Sequence, residues 1–108
     1  MSPEQNKSIS KRWHEAWGTP ALQQAYDRYL SEDFRALFFG QGWVDRATYI
    51  QRDQEFLTGF SDVRIVVEEA VAEGDVVMSR MNWTGVHTGA VPGIPAPTGK
   101  RFEIMGFG

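Results

Sequence analysis

The sequence predicts an α+β fold in which N-terminal helices pack on one face of a strongly curved, mostly antiparallel sheet. Three observations carry that prediction. Apolar residues recur at helical spacing through the first half of the chain. From Val63 onward the period changes to two, in long runs rich in β-branched residues. A corner dense in glycine and proline, Thr88 to Gly99, then separates two strand-like segments.

The elements follow in order. Ser2-Pro3-Glu4-Gln5 reads as an N-cap, a proline at the first helical position and a capping-box glutamine. Ile9, Trp13 and Trp17 then form an apolar stripe, and Gly18 is the stop. Thr19-Pro20 restarts a helix whose buried face carries Leu22, Ala25, Tyr26, Tyr29 and Leu30. The short linker makes the two helices packed neighbours. After Ser31-Glu32-Asp33, residues Phe34 to Phe39 read as a short strand and Gly40-Gln41-Gly42 as a turn. Asp45 is the N-cap of a third helix, with Tyr49, Ile50, Phe56 and Leu57 facing inward and Gly59 closing it. Val63 to Ala72 and Val76 to His87 form a long hairpin around Glu73-Gly74-Asp75. A last strand starts near Lys100. Glycines and bulges are how sheets bend, and a bent sheet with helices across its mouth leaves a hollow.

The 108 residues suit one domain with one core, spanning residues 1–108. A chain of this size buries about 65% of its unfolded surface. No cysteine is present, so disulfides, thiolate metal sites and thiol nucleophiles are excluded, and a reducing, cytoplasmic setting fits. The net charge of -3 comes from interspersed acids and bases, with no basic run for nucleic acid. The N-terminus lacks the apolar stretch of a signal peptide, and no segment approaches a membrane span. There is no phosphate-binding glycine loop, metal-ligand spacing or serine nucleophile motif, so neither a cofactor nor a metal is expected.

Several motifs in order now carry a resemblance. These are Asp33-Phe34 after a helix, Phe60-Ser61-Asp62 before a strand and Ala72-Glu73-Gly74-Asp75 at a hairpin. Gly85-Val86-His87-Thr88-Gly89 follows, then Gly93-Ile94-Pro95 and Pro97-Thr98-Gly99-Lys100. Together they resemble the SnoaL-like polyketide cyclases, of the nuclear transport factor 2-like superfamily, across nearly the whole chain. Ser61, Val86 and Ala96 depart from the usual proline, threonine and proline. The family's closing strand pair, with its acid/base aspartate, has no counterpart in this sequence. The resemblance implies a cone-shaped α+β barrel around a small-molecule pocket. It also implies acid/base chemistry without a cofactor, of cyclase, isomerase, dehydratase or epoxide-hydrolase type. In a rough mapping onto the ketosteroid isomerases, the base position falls near Phe38, which cannot serve.

The candidate catalytic residues are His87 and Asp33. An imidazole with pKa about 6.5 can exchange a proton at neutral pH, and the resemblance places the His87 position toward the pocket. The plainer alternative is a neutral ring bonded to the loop backbone. Asp33 could abstract a proton from a carbon acid, or cap a turn. His14 lies off the apolar stripe and reads as solvated surface, as does Arg52-Asp53. Arg80 either points inward, toward an anionic ligand or a carboxylate such as Asp33 or Asp53, or lies on the outer face. Trp13, Trp17, Tyr26, Phe34, Phe38, Trp83 and Met105 are candidates for a pocket lining or for ordinary core.

Two functional readings stay open: an acid/base enzyme on a small apolar or polycyclic substrate, and a non-catalytic ligand-binding or interaction module, or shortened variant, of the same fold. Unpaired sheet-edge groups favour a homodimer, through sheet faces or through the Lys100–Phe107 strand.

Overall fold

A computed structural model describes residues 2–38, 42–89 and 98–108. Three helices and five strands occupy these residues, in the order α1 (Pro3–Glu15), α2 (Leu22–Tyr29), β1 (Arg35–Phe38), β2 (Gly42–Asp45), α3 (Arg46–Leu57), β3 (Phe60–Glu73), β4 (Val76–His87) and β5 (Arg101–Phe107). Strands β3, β4 and β5 form an antiparallel sheet in that order, and β1 pairs with β2 as a separate hairpin. The α+β class read from the sequence holds, with the sheet curved and, among the described residues, not closed into a barrel.

Local chemistry explains where the helices begin. The Ser2 side chain accepts from the Gln5 amide at 3.1 Å while the Gln5 side chain accepts from the Ser2 amide at 2.9 Å, a complete capping box. Asp45 caps α3 through the Thr48 amide at 2.8 Å. The second helix starts later than Thr19-Pro20 suggests. Its N-cap position is Ala21, which has no side-chain acceptor, and Thr19 instead takes the Ala21 amide on its hydroxyl at 3.2 Å. Gly18 has φ +79, and a Cβ there would stand 2.8 Å from Val63 atoms, so the chain turns tightly against β3. Strand β2 was not read from the sequence. Four residues beginning with a glycine carry no alternation to detect.

The hairpin turn at Gly74-Asp75 forms as its residues require, with Gly74 at φ 56. The β3–β4 ladder shifts register twice, between Ser61 and Arg64 and between Val67 and Glu69. Asp62, at φ 53, lies within the first irregularity. Such bulges bend a strand and sharpen its twist, which curves this sheet around the helices. At the second, the Glu15 carboxylate accepts the Val67 amide at 2.9 Å and ties the end of α1 to the bent strand.

The core sits under α2. Leu22, Ala25, Tyr26 and Leu30 are buried there, and Trp13, Trp17, Phe34, Tyr49, Ile50 and Leu57 pack against the cluster. An aromatic seam continues to the sheet. Phe56, Phe60, Trp83 and Phe102 meet at centroid distances of 4.8 to 5.5 Å, mostly edge to face. Among the described residues, no helix is long and apolar enough to cross a membrane.

Candidate functional site

Between α1, α3 and the concave face of the sheet lies a cavity of about 240 Å³. Its walls come from α1 (Trp13, His14) and the turn after it (Trp17), α3 (Tyr49, Asp53, Phe56), β3 (Ile65), β4 (Met81, Trp83) and β5 (Ile104, Gly106, Phe107). The alternation of β4 explains the sheet's contribution. Met81 and Trp83 face the helices, so Met78, Arg80 and Asn82 point away.

Asp53 is the carboxylate of this apolar chamber. It lies on the same helical face as Tyr49 and Phe56, four residues after one and three before the other. Both of its oxygens are held. The Trp17 indole N–H donates to Oδ1 at 2.7 Å, and the Tyr26 hydroxyl donates to Oδ2. Gln54 donates in turn to the Tyr26 oxygen at 3.2 Å. Burial pushes the Asp53 carboxyl above the usual carboxylate range, against the opposing pull of the Tyr26 and Trp17 bonds. Burial also raises the Tyr26 and Tyr49 phenols, each further raised by Asp53, so both stay protonated at neutral pH.

His14 forms part of the opposite wall. Its Nδ1 lies 2.8 Å from the Ser10 carbonyl oxygen, which can only accept, so Nδ1 carries the proton and Nε2 keeps its lone pair. Burial lowers the His14 pKa, partly offset by the Ser10 bond, and the ring is neutral at pH 7. The chamber therefore offers a carboxyl group, a bare imidazole nitrogen and a phenol on aromatic walls. Lysine and arginine are absent from its described lining. No cluster of described residues has the ligands for a metal ion.

The structure places the sequence candidates as follows. Trp13, Trp17 and Trp83 line the cavity. Tyr26 is 1% exposed and reaches the site only through its bond to Asp53. Phe34 stacks edge-on against Tyr49 at 5.1 Å, inside the core. Phe38 ends β1, and its side chain lies outside the described residues. Met105 is exposed on the outer face beside Asn82. Arg80 is also on the outer face. Its partner is Glu69 at 3.3 Å rather than Asp33 or Asp53, because an even-numbered position of β4 cannot face the helices.

His87 and Asp33 stand apart from the chamber. His87 is buried at the end of β4, where its Nδ1 accepts the Thr98 amide at 3.2 Å, so Nε2 carries the proton. Its backbone bonds Lys100 and Gly99 at 3.0 and 2.8 Å, clasping the two ends of the segment from 88 to 99. Residues 90–97 of that segment lie outside the described part. Asp33 is exposed and accepts the Ser31 hydroxyl at 2.7 Å, a turn-capping bond.

His14 and Asp53 are the functional candidates that the sequence reading assigned to the surface. The structure corrects both. The usable signal was the spacing Tyr49, Asp53, Phe56, which puts an acid on an otherwise apolar helical face.

A curved antiparallel sheet roofed by helices over an aromatic chamber defines the α+β cone class. The chain belongs to the SnoaL-like polyketide cyclase family, whose family model matches residues 7–107. Solved structures agree in fold. One is a candidate SnoaL-like polyketide cyclase from Jannaschia sp. CCS1, with 24% identity over 97% of this chain and 74% of that one, at a TM-score of 0.87. A candidate hydroxylase, AclR from Streptomyces galilaeus, is 24% identical over 98% and 77%, with a TM-score of 0.81. A candidate polyketide cyclase from Acidithiobacillus ferrooxidans is 28% identical over 99% and 79%, with a TM-score of 0.77. No curated protein matches the chain significantly.

Proposed function

We propose that the chain is a cofactor-independent acid/base enzyme that binds an apolar, ring-containing substrate in the cavity and uses Asp53 to move a proton. The observation that carries this reading is a carboxyl group fixed by Trp17 and Tyr26 inside an aromatic chamber, with its proton affinity raised by burial. General bases gain from a pKa drawn toward the working pH, and burial is how carboxylates acquire one. The size fits a small guest. An apolar cavity of about 150 Å³ holds benzene, so 240 Å³ admits a fused bicycle.

In the simplest step, the ionised Asp53 takes a proton from a carbon beside a substrate carbonyl. The C–H pair becomes the enolate π bond, and the carbonyl oxygen takes the negative charge. Return of the proton to carbon, or attack of that carbon on a second carbonyl, completes an isomerisation or an aldol-type ring closure. Tyr49, one turn earlier on α3, supplies a protonated phenol on the same wall. The kinship with candidate cyclases supports the reaction class.

The test is α-deuterium exchange of 2-tetralone in D₂O, followed by proton NMR. The protein should accelerate exchange over buffer, and Asp53→Asn should lose about 10²–10⁴-fold of that acceleration. Exchange that Asp53→Asn leaves intact removes Asp53 from the role. Tight binding with no exchange favours the ligand-binding module instead.

A further inference from the structure

The ionised Asp53 gives the chamber a negative charge with no positive counterpart. Its two hydrogen bonds come from neutral donors, the Trp17 indole and the Tyr26 hydroxyl. Lysine and arginine are absent from the described lining, and His14 across the chamber is neutral. Among the described residues, none of the ion pairs includes Asp53. A carboxylate withdrawn from water is costly to leave alone, and such groups pair with a cation or hold a metal. The ligands for a metal do not come together among the described residues. An organic cation is the remaining counter-charge.

The walls suit one. Trp13 from α1, Trp17 from the turn after it, Tyr49 and Phe56 from α3 and Trp83 from β4 bring rings to several sides of the same cavity. A ring face carries negative potential and attracts a cation within about 6 Å of its centroid, tryptophan most strongly. Alkylation at nitrogen favours such walls, because methyl groups spread the charge and remove the N–H donors that water would satisfy. Size agrees as well. A trimethylammonium head is close to benzene in bulk, which an apolar cavity of about 150 Å³ holds. The 240 Å³ here takes the head and a short chain.

We propose that the chamber binds a small N-methylated ammonium ion, its charge set against the Asp53 carboxylate and its methyl groups against the tryptophan and tyrosine walls. Proton transfer by Asp53 plays no part in this binding, so it stands apart from the ketone reaction. The two guests compete for the same space.

Choline and its uncharged isostere 3,3-dimethylbutan-1-ol test this, each titrated at pH 8 into the nitrogen-15-labelled full chain and followed by the indole N–H signals. Choline should bind at least about tenfold more tightly than the alcohol. It should move the Trp13, Trp17 and Trp83 signals and leave in place that of Trp43, which is 61% exposed on β2. In Asp53→Asn, with an unchanged far-UV circular dichroism spectrum, the preference for choline should fall to about threefold or less while the alcohol binds as before. An alcohol that matches choline on the wild type overturns the proposal and leaves the ketone reading intact. A preference that Asp53→Asn retains overturns it too, as do shifts confined to Trp43 or no shift with either compound.

Discussion

Tyr26→Phe isolates one polar contact in the middle of the molecule. Tyr26 is 1% exposed, and its ring packs against Trp13 at a centroid distance of 5.8 Å, contacts that phenylalanine keeps. What disappears is the hydroxyl that donates to Asp53 and accepts from Gln54. A hydrogen bond to a charged group contributes about 1.5–3 kcal/mol, so the variant should lose about 2 kcal/mol at pH 7. For a chain of this size that corresponds to about 10 °C in Tm. In acid, once the carboxyl is protonated, the acceptor is neutral and the loss should shrink to about 1 kcal/mol. Urea unfolding at both pH values measures it, and a cycle with Asp53→Asn isolates the pair. A loss below about 0.5 kcal/mol at pH 7, within the range of an ordinary surface change, would show that the hydroxyl does not hold the carboxylate.

Two further outcomes follow from the same geometry. Asp53 has its pKa raised by burial, so the folded state binds more protons than the unfolded chain between its ordinary 3.8 and the raised value. Its contribution to stability is therefore full below 3.8 and is lost as pH rises through the folded value. Asp53→Asn should accordingly gain on the wild type as pH rises through that window, and urea midpoints across a pH series would reveal parallel curves if the shift is absent. Gly18→Ala combines a positive φ with a Cβ 2.8 Å from Val63 and should cost about 1–3 kcal/mol. Thermal melts would contradict this by matching the wild type.

The parts of the fold legible in the sequence are those fixed by local chemistry. The Ser2–Gln5 box, the Asp45 cap and the Gly74 turn each satisfy backbone groups within a few residues, so the residue types announce the structure. Strand β2 escaped because four residues carry no period. Helix α2 was placed too early because Thr19 uses its hydroxyl within a turn instead of as a cap. The site was harder still. Asp53 next to Arg52 looks like solvated charge until α3 is known to bury the face that holds Tyr49 and Phe56. His14 falls off the Ile9–Trp13–Trp17 stripe, yet Gly108, just past the end of β5, comes up against its ring, a long-range contact with no local signature. Strand parity likewise left the side of Arg80 open until Met81 and Trp83 were placed in the chamber.

Carbon-13 NMR titration of the Asp53 carboxyl, with and without 2-tetralone, addresses the chamber most directly. The carboxyl should titrate above its ordinary 3.8, and its resonance should move when the ketone is added. Titration at or below 3.8 with no response to the guest would mean that Asp53 is an ordinary solvated acid and the chamber is no binding site.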